Sequence, residues 1–147
     1  AKVLDVPVEI VRLPLMGTVP LGGDAEASIA DYNVFHRYAA NFPWRSHALW
    51  FLSQMVRWGQ IGADVDLAGV AERVYRPDIY RNALAGTGAA VPAQDLKQEG
   101  RNGQGHALAQ EGPDIDLGAV GFVDGLMFDP GRIGAYVDDF AIRHRRG

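Results

Sequence analysis

The strongest periodicity in the chain lies between Arg45 and Trp58. There Leu49, Trp50, Phe51, Leu52, Met55, Val56 and Trp58 cover most of the circumference of a helix. Only Ser53, Gln54 and Arg57 form a polar strip. A helix apolar on nearly every side is buried on several sides, so this one is expected to form the centre of the core. Pro43 or Ser46 starts it. Gly59 stops it, because a residue without Cβ enters the left-handed conformation that closes helices. A second helix is expected from Asp66 to Tyr75. Asp66 is a good N-cap, and Leu67, Val70, Ala71, Val74 and Tyr75 repeat at i, i+3, i+4, i+7 and i+8. A third begins at Pro77, suited to a first helical turn, carries Ile79, Tyr80, Ala83 and Leu84, and ends at Gly86 or Gly88. Asp129-Pro130 caps a last helix with Ile133, Tyr136, Val137 and Phe140 as its stripe.

The remaining segments have weaker patterns. Val3 to Leu13 is apolar and β-branched between Pro7 and Pro14, and reads as one short strand or extended segment. Met16 to Asp24 is turn chemistry. Ile29, Tyr32, Phe35 and Tyr38 recur every third residue, which predicts a short helix over 25–38 with Asp24 as its cap. Val91 to Gly118 has almost no period and is long for a connection in a compact domain. Ala119 to Phe128 reads as a short strand or an irregular buried segment. The expected class is mainly α with a few short strands, in one unit across residues 1–147.

Composition narrows this little further. The chain has 147 residues, 48% hydrophobic and 22% charged, enough to bury a real core and too apolar for wholesale disorder. Its net charge of −4 argues against direct attraction to nucleic acid. The absence of cysteine excludes disulfides, thiolate metal sites and a cysteine nucleophile. No apolar run approaches the roughly 20 residues needed to span a bilayer.

Candidate chemistry is sparse. The histidines are His36, His47, His106 and His144, and no pair has the spacing of a metal motif, so no metal and no cofactor is expected. Ser46 and His47 are adjacent and should point different ways on a helix, which makes them a poor nucleophile–base pair. Asp114 and Asp116 suggest half a calcium loop but read better as a solvated turn. Asp138 and Asp139 read as a solvated face. The glycine run from Gly100 to Gly105 fits neither a P-loop nor a dinucleotide fingerprint and reads as a loop. The densest segment, Phe35 to Trp58, gathers two His, three Arg and three Trp around a helix start. A helix N-terminus with Arg and His beside it is a place for a small anion. The competing reading makes the aromatics core and the basic side chains ties between loops. No titratable constellation of an enzyme is evident.

The segment NFPWRSHALWFLSQMVRWGQI, Asn41 to Ile61, resembles the C-terminal region of the nitrate- and bicarbonate-binding proteins of ABC transporters. VYRPDIYRNA (Val74 to Ala83), VPAQDLKQEG (Val91 to Gly100) and GFVDGLMFDP (Gly121 to Pro130) resemble the following blocks in the same order, and LDVPVEIVRLPLMG resembles the lead-in. The resemblance implies the C-terminal portion of a two-lobed α/β periplasmic-binding-protein fold, type II, with a small oxyanion held between lobes. It implies a periplasmic receptor that serves an ABC permease of the inner membrane, and no enzyme. The alternative within the same fold is a cytoplasmic nitrate sensor that controls an RNA-binding antiterminator protein. Arg45, Ser46 and His47 are the motif positions to follow as ligand-binding candidates. The nearly all-apolar helix and the long unordered loop imply apolar surface that packs on a further portion of protein.

Overall fold

A computed structural model describes residue 3 and residues 5–100, 107–111, 113–118 and 121–143. His106, His144, most of the glycine run, the beginning of the Ala119–Phe128 segment and the basic tail beyond Arg143 lie outside the described residues. The architecture is mainly helical with four short strands among the described residues. It divides into two compact units, Ala1–His36 and Arg37–Gly147.

In the first unit the expected strand is instead a helix, α1 (Val8–Leu15). A short apolar run does not distinguish helix from strand by period alone. Pro7, at φ −55°, already sits at the angle a first helical turn requires. Pro14 lacks the N–H that would continue the ladder, and the helix ends one residue later. The stretch read as turn and helix is a hairpin: β1 (Thr18–Gly22) pairs antiparallel with β2 (Ala25–Ser28). Thr18 faces Ser28 and Val19 faces Ala27, and a bulge lies between Pro20 and Gly22. Gly22 and Gly23 both take positive φ at the reversal, as a tight hairpin demands. The three-residue spacing of Ile29, Tyr32, Phe35 and Tyr38 therefore builds no helix. A spacing of three alone, without the alternating four, walks around a helix instead of keeping to one face. Ile29, Tyr32 and Phe35 are in fact exposed.

The second unit opens with a single 3-10 turn at Arg37–Ala39 and then α2 (Arg45–Arg57). The latter ends as expected, with Gly59 at φ +69°. The buried line of α2 is Ser46, Leu49 and Ser53, with Ala48 beside it. The expected polar strip is thus corrected. Ser53 is fully buried and donates to the Trp50 carbonyl at 2.6 Å, while Phe51 is 56% exposed. A hydroxyl satisfied by its own helix is small and carries no unpaired group, so it can be buried where neighbouring helices come close.

Those neighbours are α3 (Leu67–Val74) and, near the end of the chain, α5 (Ile133–Asp138). The Asp66 cap forms as read: its Oδ1 accepts from the Gly69 amide at 3.0 Å. The next helix, α4 (Pro77–Leu84), starts on a buried Pro77. The expected cap of α5 does not form. Asp129 Oδ1 accepts from the Gly131 amide at 2.9 Å and so closes a turn ahead of the helix, which begins beyond Arg132. Between α4 and α5 the chain is mostly irregular. Among the described residues it contains a two-residue pair, β3 (Ala107–Leu108) with β4 (Ile115–Asp116), and an isolated bridge between Glu99 and Phe128.

Among its described residues the second unit has two apolar clusters. One gathers Phe42, Trp44, Ile115 and Leu117, with Tyr80 against it. Phe42 packs edge-on to Trp44 at 4.8 Å and to Tyr80 at 5.4 Å, geometries that favour the ring quadrupoles. The other gathers Leu49, Ala71, Phe128 and Tyr136. Trp50 stacks on Phe122 at 5.2 Å and donates its indole N–H to the Tyr136 hydroxyl at 3.0 Å. Trp44, the residue that precedes α2, belongs to the first cluster, and Ala48 and Leu49 of α2 belong to the second.

Candidate functional site

Two segments far apart in sequence meet at the start of α2. The helix presents Arg45, Ser46 and His47 in its first turn, and the irregular stretch 95–99 meets them. Asp95, Lys97 and Glu99 alternate along that stretch, and the side chains of Asp95 and Glu99 meet the first turn of α2. The Arg45 amide donates to the Asp95 carbonyl at 2.9 Å, which spends one of the orphan donors of the helix start.

Glu99 is the centre of the arrangement. Its carboxylate is buried, 5% exposed as a residue, at the place where a helix N-terminus favours negative charge. Ser46 Oγ donates to Oε1 at 2.6 Å, and His47 Nε2 lies 3.4 Å from the same oxygen. Lys97 Nζ pairs with Oε2. The Lys97 amide donates back to Ser46 Oγ at 3.3 Å. Ser46 is fully buried, and its hydroxyl is used both as donor and as acceptor. Burial alone would push the Glu99 carboxyl up. The His47 hydrogen bond and the Lys97 charge outweigh it, so its pKa lies below the ordinary glutamate value.

Beside this cluster runs a second, more open one. Arg45 pairs with Asp95 at 3.1 Å and with Glu72 of α3 at 3.5 Å. Arg81 of α4 reaches the other oxygen of Asp95 at 2.7 Å and donates to the carbonyls of Pro92, Ala93 and Gln94. One guanidinium thus gathers four acceptors on residues 92–95, a use suited to its fixed fork of donors. Glu99 continues the tie by exchanging backbone hydrogen bonds with Phe128, at 3.0 and 2.9 Å.

The three residues singled out from the sequence therefore do come together, but each meets a partner from this chain. The expected divergence of Ser46 and His47 is corrected: both reach one carboxylate oxygen, because Glu99 arrives over the helix end and not along its side. The place read as suited to a small anion holds the Glu99 carboxylate. Asp95, Lys97 and Glu99, and Arg81 with them, were not readable as site residues. The one local signal is the alternation of charges in an otherwise Gly- and Pro-rich stretch. The α2 partners of Asp95 and Glu99 lie 50 to 53 residues away, and no local spacing encodes that distance.

Other candidates resolve simply. Among the described residues no group of His, Asp and Glu could hold a metal ion. Asp116 accepts from the Gly118 amide at 2.8 Å, the solvated turn expected of that segment. Asp138 and Asp139 are exposed, as read.

The chain is similar to the nitrate/nitrite binding protein NrtA of Synechococcus elongatus, with 30% identity over 140 residues, 93% of this chain and 27% of that protein. It is 27% identical over 152 residues to the bicarbonate-binding protein CmpA of the same species, covering 95% of this chain and 29% of the relative. The nitrate import ATP-binding protein NrtC of Synechocystis sp. is 33% identical over 125 residues, 84% of this chain and 15% of the relative. The chain thus spans less than a third of the length of each of these relatives. No family model matches it. No solved structure matches it.

Proposed function

We propose that the chain belongs to the nitrate- and bicarbonate-binding protein family over the part of those proteins it spans, and that it is the C-terminal segment of a solute-binding protein for a small oxyanion. The observation that carries this reading is the similarity to two anion-binding proteins over more than nine-tenths of the chain. The parent protein has the two-lobed type II fold, works in the periplasm, and delivers nitrate, nitrite or bicarbonate to an ABC permease. It binds and releases its ligand without chemical change.

In this reading Arg45, Ser46 and His47 act by holding the 95–99 stretch in place, and the contacts to the free anion come from elsewhere in the parent protein. The internal pairing of all three supports that division. So does the mutual packing of the blocks that carry the resemblance: Trp44 to His47, Arg81, Asp95 to Glu99 and Phe128 lie in one connected network. The similarity to an ATP-binding import protein fits a shared transport system. This chain carries no GxxxxGK[ST] sequence, so the stretch it shares with that relative brings no phosphate loop here.

Calorimetric titration tests the proposal. The parent protein should release or absorb heat with nitrate, nitrite or bicarbonate at micromolar concentrations, and the 147-residue chain should give no binding isotherm with any of them. Silence of the parent protein toward all three anions would overturn the solute-binding reading. Micromolar binding by the short chain would overturn the structural role assigned to Arg45, Ser46 and His47.

A further inference from the structure

We draw no further inference here: the strongest candidate, the exposed apolar side chains Ile10, Leu15, Met16 and Leu21 on α1, β1 and the turn between them in the first unit, carries none because nothing in the structure shows what covers them.

Discussion

Replacing Glu99 with Gln is the sharpest test of how the 95–99 stretch is held. The side chains of Glu99 and Lys97 are 6% and 7% exposed, so their pairing is screened by little water. Removing one partner of a buried pair leaves the other charge uncompensated, at about 3–5 kcal/mol. Ser46 and Lys97 use different oxygens of Glu99, and Gln keeps the shape but only one acceptor oxygen, for one of them; with the shape kept, the loss is about 3 kcal/mol. With about 4 °C per kcal/mol for a chain of this size, the midpoint of thermal unfolding should fall by about 12 °C. Lys97→Met should cost a similar amount, since it strips the counter-charge from a buried carboxylate. The double variant Lys97→Met/Glu99→Met removes both charges and leaves Ser46 as the main unsatisfied donor. Its cost should be about 2 kcal/mol, well below the sum of the two single changes. Circular dichroism melts of the four proteins read this directly. A Glu99→Gln protein that melts within a degree of the parent would refute the reasoning. So would a double variant whose loss equals that sum.

Three further outcomes follow from the same geometry. Because the folded-state pKa of Glu99 is depressed, its contribution is fully present above the ordinary glutamate range of about 4.3 and is lost as pH falls through the lower folded value; acid titration should show this loss, and Glu99→Gln should flatten that part of the curve. Gly100 has φ +82°, and a Cβ there would lie 2.4 Å from the Leu126 carbonyl oxygen, so Gly100→Ala should cost about 3 kcal/mol in urea denaturation, from the left-handed backbone and the collision together. Asp66→Ala should cost about 1 kcal/mol in the same assay, the usual worth of an N-cap, and Asp66→Asn should restore most of it.

Much of the second unit was legible in the sequence. The extent of α2, α3 and α4, the Asp66 cap, Pro77 in the first turn and the Gly59 stop all depend on residues within a few positions of one another. Local backbone sterics, caps and a repeat near 3.6 act over that range. The first unit misled for the same reason. Six residues between Pro7 and Pro14, four of them apolar, are too few to tell one period from the other, and a run at spacing three imitates a helix until the Gly22–Gly23 reversal is given its weight as a hairpin turn.

The sequence by itself determined where the helices of the second unit lie, that the chain is mainly α, and the family it resembles. The tertiary structure alone decided which side of α2 is inside. Hydropathy ranks Phe51 above Ser53, yet Ser53 is buried, because its hydroxyl is satisfied within the helix and its small volume suits close neighbours. It also decided the meaning of Arg45, Ser46 and His47. Read locally they are cations and donors at a helix start, suited to a free anion. Folded, they hold carboxylates from a stretch some 50 residues on. A charge is assigned its partner by whatever the fold brings within a few ångströms, and that distance is set by long-range packing.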